Sequence, residues 1–191
     1  MQDNVSKLIE VCNKLYDREL ASGKSGNVSI RLGNYIAITP TLKAMNDLNE
    51  DDIVLVDMKS NILTKGKPSS EVGMHLAIYK KRSDVNAIIH THSPYTTGFA
   101  FSDKKIKRLE GFGEINNPYV ASIEYEKPGS DELAFNASEA IKNEDVLVLK
   151  NHGVICVGKD LNETESLAIF IEESAKTQFV SYMLNSVKDI E

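Results

Sequence analysis

The chain has 191 residues, of which 41% are hydrophobic and 26% charged, and its formal net charge is −6. This length predicts one domain over residues 1–191 with a full hydrophobic core, and the acidic balance disfavours nucleic acid as a partner but still allows a local pocket for a small anion. The longest apolar runs have the length of strands, and the N-terminus lacks a basic-then-apolar signal pattern, so we expect a cytoplasmic protein with no membrane span.

The first half of the chain mixes helical and strand patterns. Apolar residues from position 4 to position 21 recur on one helical face, and a Gly-containing segment at 22–26 then breaks the helix. The strands expected after it are 28–32, 35–39, 53–57 and 62–64. The first two are joined by Gly33-Asn34, which is typical of a hairpin. A helix from about 70 to 82 follows, with a serine as its expected N-cap and Glu71 in its first turn.

The second half continues the mixture without a strict strand–helix–strand alternation. The strands expected here are 85–92, 119–123, 145–150 and 154–157. The helices expected here are a short one from Pro94 and longer ones at 131–142 and 162–184. The segment 104–118 is predicted to be irregular. We therefore predict an α/β domain with a central, largely antiparallel sheet flanked by helices.

Histidines at strand ends are the most informative feature. The chain has only four, and His90 and His92 end one apolar strand with a single residue between them. Residues i and i+2 of a strand point the same way, about 6.6 Å apart at a rise of about 3.3 Å per residue, which suits two imidazoles on one metal. His152 ends another apolar run. A lone histidine here would more often be a satisfied polar residue, but three together favour a metal site, although the spacing does not identify the metal.

The segment Lys67-Pro-Ser-Ser-Glu71 places two hydroxyls, Ser69 and Ser70, at a helix start. The free N–H groups and positive dipole end there suit an anion such as phosphate. On these residues alone a plain N-cap is the better interpretation, and Glu71 could simply complement the dipole. His75 lies one helical turn later on the same face. It could support the site from behind, or it could be a packed or surface histidine.

The loop Gly23-Lys-Ser-Gly-Asn27 resembles a phosphate loop, but it lacks the spacing of a nucleotide-binding P-loop and follows a helix instead of a strand. Its glycines would let backbone N–H groups approach a phosphate closely. A tight turn between helix and strand is an equally good interpretation.

Together these segments resemble the class II aldolase/adducin family over nearly the whole chain. The motifs that carry the resemblance are Gly26-Asn-Val-Ser29, Thr39-Pro-Thr41, Pro68-Ser-Ser-Glu71, His90-Thr-His92 and Asn151-His-Gly153. Five separated elements in the right order make the resemblance specific. It implies an α/β fold with a central antiparallel sheet, usually assembled as a cyclic homotetramer with active sites between subunits.

The resemblance also implies the roles of the site residues. One Zn²⁺ per chain would be held by His90, His92 and His152, and Glu71 would be the acid/base and would approach the metal in the empty site. The substrate phosphate would be bound by Gly26, Asn27, Thr41, Leu42, Ser69 and Ser70. The implied reaction is the reversible cleavage of a sugar 1-phosphate to dihydroxyacetone phosphate and a short aldehyde.

Some residues depart from the family pattern. Leu42 stands where the aldolases have glycine, so only its backbone N–H could help the phosphate, and Lys24 replaces a small threonine. The segment 107–113 shows no match to the family's tyrosine proton donor, and we expect the closing C-terminal tail of longer relatives to be absent. The same metal and glutamate could instead serve a dehydratase or an epimerase. An adducin-like scaffold ranks low, because such relatives lose the metal ligands.

Overall fold

The structure, a computed structural model, describes residues 2–109, 111 and 117–186. The α-helices in this part of the chain are α1 Gln2–Asp17, α2 Val72–Lys81, α3 Pro94–Ala100, α4 Asp131–Ala140 and α5 Leu161–Ser186. The strands are β1 Asn27–Leu32, β2 Tyr35–Ile38, β3 Val54–Asp57, β4 Ala87–Thr91, β5 Ala121–Ile123, β6 Val146–Leu149 and β7 Gly153–Gly158. Two 3₁₀ helices, Met45–Asp47 and Glu50–Asp52, lie before β3. None of the helices in the described ranges combines the length and the hydrophobicity needed to cross a membrane.

The described strands form one sheet in the order β3-β2-β1-β4-β7-β6-β5. Neighbours pair antiparallel except β5 and β6, which pair in parallel at one edge. The prediction of an α/β fold with a largely antiparallel sheet is confirmed. β4 lies in the middle of the sheet, and all five of its residues are buried.

The sheet has a hydrophobic layer on each face, because side chains alternate along a strand. On β4, Ile89 belongs to the layer that includes α1, α3 and α5, whereas Ile88 belongs to the layer that includes α2 and α4. His90 lies two residues after Ile88, so it points towards α2. The central strand therefore presents its terminal histidine to the helix that follows Glu71.

Two boundary predictions were wrong. Residues 62–64 form no strand: Ile62 makes an isolated bridge to Val56 and is half exposed, so the segment lacks a core to pack against. The helix expected from 70 begins at Val72, with Glu71 at the N-cap position. Ser69 causes the delay, because its hydroxyl accepts a hydrogen bond from the Glu71 N–H at 3.2 Å and its carbonyl accepts one from the Val72 N–H.

Two further predictions concern the end of α1 and the irregular segment 104–118. α1 ends at Asp17, four residues earlier than expected, and the N–H of Leu20 returns to the carbonyl of Leu15. The irregular segment 104–118 lies partly outside the described residues. Its described part carries an isolated bridge between Lys107 and Tyr119.

A buried carboxylate on α5 fixes the start of α3, directly after His92. Glu172 is only 6% exposed. Its two oxygens accept hydrogen bonds from the backbone N–H groups of Tyr95 and Thr96, at 2.8 and 2.9 Å. These N–H groups lie in the first turn of α3, where a helix has no internal acceptors for them. α5 therefore stabilises the loop that carries the second histidine.

We expect Glu172→Ala to lower the free energy of unfolding by about 1–3 kcal/mol, because it leaves the buried Thr96 N–H and the partly buried Tyr95 N–H without an acceptor. Urea unfolding followed by circular dichroism measures this difference. Glu173→Ala, at the exposed neighbouring position, is the matched control and should stay within about 0.5 kcal/mol of the parent protein. Equal losses in the two variants would contradict the anchoring role.

Candidate active site

Three imidazoles converge beside the end of β4. His90 is in β4, His92 follows it, and His152 lies in the turn before β7. One ring nitrogen from each lies within 4.8 Å of the others, and the Nε2 atoms of His90 and His92 are 3.0 Å apart. This cluster could hold a metal ion. Two nitrogens bound tetrahedrally to zinc at about 2.0–2.1 Å would be roughly 3.3 Å apart, so the spacing of the His90 and His92 nitrogens fits such an ion with a small adjustment.

The pairing of β4 with β7 brings the third histidine to the first two. Thr91 pairs with Val154, so the turn before β7 lies next to His92. Gly153 is required in this turn, because a Cβ there would lie 2.5 Å from the Thr91 carbonyl oxygen and 2.9 Å from Cδ2 of His92. The close approach of the two backbones is what lets His152 reach the cluster.

The orientation of His90 is fixed from outside the cluster. Its Nδ1 lies 3.0 Å from the carbonyl oxygen of Val154, which can only accept, so Nδ1 carries the hydrogen. The Nε2 lone pair then points into the cluster. A backbone carbonyl that fixes the tautomer in this way is the usual support of a metal-binding histidine.

Glu71 completes the cluster with a carboxylate that is 6% exposed. Its Oε2 lies 3.2 Å from Nε2 of His90, and its Oε1 lies 3.4 Å from Nε2 of His152. Asn27 donates a hydrogen bond from Nδ2 to Oε2 at 2.9 Å. Oε1 has no hydrogen-bond partner among the described residues. One carboxylate oxygen is therefore tied, and the other is free to take part in chemistry.

The ionisation of these groups is strongly coupled. Burial alone would raise the pKa of Glu71, but the charge and hydrogen bond of His90, aided by His152 and Asn27, hold this pKa well below its usual range. Burial opposes a charge on His90 as well, and the facing Glu71 carboxylate outweighs it and raises the pKa of His90. Burial and the charge of His90 lower the pKa of both His92 and His152 to about 4. Glu71 is therefore ionised and His92 and His152 are neutral near pH 7, which are the forms that bind a metal, whereas a charged His90 would release its extra proton on binding one.

The predicted phosphate-binding residues lie on adjoining loops next to this cluster. Pro40 and Pro68 form a bridge between the loops, and the N–H of Thr41 donates to the carbonyl of Lys67 at 3.1 Å. Thr41 therefore lies next to the turn that carries Ser69 and Ser70. These two serines differ, because Ser69 is buried and bonded to the Glu71 N–H, whereas Ser70 is exposed.

The loop before β1 reaches the same place. Gly26 has φ +79°, and a Cβ there would lie 2.7 Å from the His90 carbonyl oxygen, so only glycine fits this close approach. Leu42 also adopts a left-handed φ of +61°, and its side chain is 74% exposed. A leucine in this conformation costs roughly 1–2 kcal/mol, which explains the glycine at this position in the family pattern.

The structure adds site residues that the sequence did not indicate. Gly129 packs against Ser70, with φ +78° and a would-be Cβ 2.8 Å from the Ser70 carbonyl oxygen. Its Pro-Gly dipeptide marks a turn in the sequence, but nothing in the sequence relates that turn to the serines. His75 is fully buried and contacts Asn27 and Ser29, which resolves the alternatives left open for it. Burial lowers the pKa of His75 to about 3.

Comparison with known proteins identifies the family. A family model for the class II aldolase and adducin N-terminal domain matches residues 6–179. The chain belongs to this family. A solved structure of L-fuculose 1-phosphate aldolase superposes with a TM-score of 0.88 at 28% sequence identity and covers 99% of this chain and 92% of that one.

Sequence relatives of this chain carry more than one activity in their names. An L-fuculose phosphate aldolase of Methanococcus maripaludis is 46% identical over 180 residues, which cover 94% of this chain and 97% of the relative. A 3-oxo-tetronate 4-phosphate decarboxylase of Haemophilus influenzae is 31% identical over 197 residues, which cover 96% of this chain and 94% of the relative. The predictions of the family and of a class II, carbon–carbon lyase are confirmed.

We expect His92→Ala to lose the bound divalent metal, because it removes one of three convergent nitrogens. Elemental analysis of the purified protein by inductively coupled plasma mass spectrometry measures the metal content per chain. His75→Gln is the control, since this histidine lies outside the cluster, and it should retain the metal. Equal metal content in the parent and His92→Ala would contradict the assignment of His92.

Proposed function

We propose that this protein is a zinc-dependent aldolase that reversibly cleaves a sugar 1-phosphate like L-fuculose 1-phosphate. The products would be dihydroxyacetone phosphate and a short aldehyde such as lactaldehyde. The observation that carries the proposal is the free Oε1 of Glu71, which faces a cluster of three histidines and is buried beside loops suited to an anion. The identity of about 46% to an L-fuculose phosphate aldolase over nearly the full length supports this substrate class.

The proposed metal ligands are His90, His92 and His152, with one Zn²⁺ per chain and Glu71 next to it. Three neutral imidazoles with a further open position suit zinc, as does the close approach of the His90 and His92 nitrogens. A zinc ion bound there would supply Lewis-acid stabilisation of negative charge that develops on a substrate carbonyl oxygen.

Glu71 would perform the proton transfer. In the direction of synthesis, its carboxylate removes a proton from the carbon next to the carbonyl of dihydroxyacetone phosphate. In the direction of cleavage, the hydroxyl next to the breaking carbon–carbon bond would pass its proton through solvent to Glu71, the aldehyde would leave, and the protonated Glu71 would deliver that proton to the carbon left behind. Oε1 is the oxygen available for this transfer, because Oε2 already accepts a hydrogen bond from Asn27. The lowered pKa of Glu71 keeps its carboxylate in the ionised form, which is the form that accepts a proton.

The phosphate would anchor the substrate. The proposed cradle consists of Gly26, Asn27, Thr41, Leu42, Ser69 and Ser70. Ser70 is exposed and available, and the left-handed backbone at Gly26 and Leu42 can present N–H groups to an anion. A fixed phosphate holds the reacting carbon near Glu71, which is how binding energy contributes to the rate.

A second candidate is decarboxylation of a sugar-acid phosphate. The relative from Haemophilus influenzae favours it, because that protein is named a decarboxylase and matches nearly the whole chain. A dehydratase or epimerase would use the same metal and glutamate. Incubating the zinc-loaded protein with a panel of sugar phosphates and sugar-acid phosphates, followed by chromatography and mass spectrometry, separates these reactions. Decarboxylation releases CO₂, aldol cleavage releases an aldehyde, dehydration removes water, and epimerisation changes the retention time without changing the mass.

Glu71→Gln should keep the fold and most of the metal but lose turnover by roughly 10²–10⁴-fold, because the amide cannot accept the substrate proton. Steady-state cleavage rates, metal content and circular dichroism of the two proteins measure the three effects. A variant within a few-fold of the parent would show that the proton acceptor is another group.

Ser70→Ala should raise KM for the phosphorylated substrate by roughly ten-fold or more, since a charge-assisted hydrogen bond contributes about 1.5–3 kcal/mol. The slow cleavage of the same sugar without its phosphate should hardly change, and this substrate is the internal control. If both substrates suffer equally, Ser70 supports the fold or the metal site and does not bind phosphate.

We also propose that the protein is a homotetramer. The family resemblance implies this assembly, and exposed apolar residues at the end of α5 support association. Phe179, Met183 and Leu184 are 47%, 51% and 70% exposed, and a groove of about 650 Å³ lies between this end of α5 and α3. Several exposed apolar side chains clustered beside an apolar groove are typical of an interface.

Multi-angle light scattering should therefore give four chains per particle. Met183→Lys places a charge in this apolar surface and should shift the population to smaller species, because a buried unpaired charge is costly. Thr177→Lys introduces the same charge at an exposed position on the same helix that does not line the groove, and it is the control. A monomer that is fully active at assay concentration would overturn the tetramer.

A further inference from the structure

A chain of buried hydrogen bonds extends from Glu71 into the space between β1 and α2. Asn27 and Ser29 of β1 contact His75 and Tyr79 of α2, and all four side chains are at most 4% exposed. Two strand residues span about 6.6 Å and four helical residues about 6.0 Å, so the two elements can pair side chains step by step. These hydrogen bonds are therefore part of the packing of β1 against α2.

The partners fix the direction of each hydrogen bond. The Glu71 carboxylate only accepts, so the Asn27 amide must present its NH₂ group to Oε2. Oδ1 of Asn27 then faces Nε2 of His75 at 2.5 Å, and this nitrogen must carry a hydrogen. Nδ1 of His75 is left as the acceptor for the Ser29 hydroxyl at 2.7 Å.

Tyr79 forms the end of this series of hydrogen bonds that lies farthest from Glu71, and its contacts agree with the same donor and acceptor assignment. The Tyr79 hydroxyl donates to the Ser29 carbonyl oxygen at 3.0 Å and lies 2.9 Å from the Ser29 hydroxyl. Ser29 is therefore free to give its own hydrogen to His75. One set of donors and acceptors satisfies the links from Glu71 to Ser29, with the single Tyr79 hydroxyl hydrogen shared between the two Ser29 oxygens, and the ionised Glu71 determines which set it is.

We propose that His75 is a positioning residue for the reaction: its Nε2–H holds the Asn27 amide so that Asn27 ties Oε2 of Glu71 and leaves Oε1 to exchange the proton with substrate. This inference rests on the proposed function. Without the donor from His75, Oδ1 of Asn27 loses its partner, and the amide can turn. An Asn27 oxygen facing Oε2 would repel the carboxylate and displace it from the cluster.

A matched pair of amide substitutions separates this role from simple packing. In His75→Gln the side-chain amide reaches about as far as Nε2 and can still donate to Asn27. In His75→Asn the amide reaches only about as far as Nδ1, so it can contact Ser29 but leaves Asn27 without its donor. Both variants place a polar amide in the same buried space, so a merely structural role predicts similar losses in the two.

The measurement isolates the step that involves Glu71. The zinc-loaded proteins are incubated with dihydroxyacetone phosphate alone in D₂O, and proton NMR follows the exchange of its C–H hydrogen for deuterium. His75→Asn should lower kcat for exchange by roughly ten-fold or more, with KM and zinc content within about two-fold of the parent. His75→Gln should restore exchange to within about three-fold of the parent.

The outcomes distinguish this inference from the proposed function. No exchange by the parent protein overturns the proposed function and the role of Oε1 with it. If the parent protein catalyses exchange and His75→Asn does so at the same rate, the positioning role alone is overturned. Equal losses of exchange rate in His75→Asn and His75→Gln overturn it as well.

A second measurement tests the hydrogen-bond direction at His75 in the parent protein, so it does not depend on the folding of any variant. Long-range ¹H–¹⁵N spectra of the parent protein resolve four histidines, because the chain has only four. We expect the His75 signals to move least when zinc is added, because His75 lies outside the cluster of His90, His92 and His152. Its spectrum should show a neutral ring with the hydrogen on Nε2. A hydrogen on Nδ1, or a doubly protonated ring, would contradict the hydrogen-bond direction on which the inference depends.

Discussion

The register of β4 between its two neighbours is the constraint on which the candidate site depends. His90 pairs with Asn27 of β1 on one side, and Thr91 pairs with Val154 of β7 on the other. A shift of one residue would turn His90 to the opposite face of the sheet, away from α2 and Glu71. The two ladders therefore set three distances at once: from His90 to Asn27, from His90 to the His152 turn, and from His90 to the carboxylate.

Two backbone segments of the site come so close to β4 that a side chain would clash there, and the chain has glycine at both positions. Gly26 lies against the carbonyl of His90, and Gly153 lies against the carbonyl of Thr91. A Cβ at Gly26 would push the loop before β1, with its backbone N–H groups, away from β4. A Cβ at Gly153 would push away the turn that carries His152. Leu42 is an exception, since it holds a left-handed backbone without being glycine. Strain of this kind is typical of functional sites, where the surrounding structure must compensate for it.

The two helical layers make different contributions to the site. α2 follows Glu71 directly and carries His75 and Tyr79, so one helix face supports the carboxylate from behind. α5 lies on the other face of the sheet and holds the segment after His92 through Glu172. Glu71 and the segment after His92 are thus supported by different layers, and a change in one layer need not disturb the other.

The sequence by itself determined the antiparallel α/β fold, most strands and helices, and the three histidines His90, His92 and His152, because strand periodicity and short polar motifs at strand ends are local signals. Glu71 was singled out by the family resemblance, since an acid at a helix start can simply complement the helix dipole. It misplaced the start of α2 and predicted a strand at 62–64, since a serine turn and an exposed edge depend on what lies nearby. Only the tertiary structure decided that Gly129 abuts Ser70 and that His75 contacts Asn27. These pairs lie 59 and 48 positions apart, and sheet register and helix packing, which no local pattern encodes, bring them together.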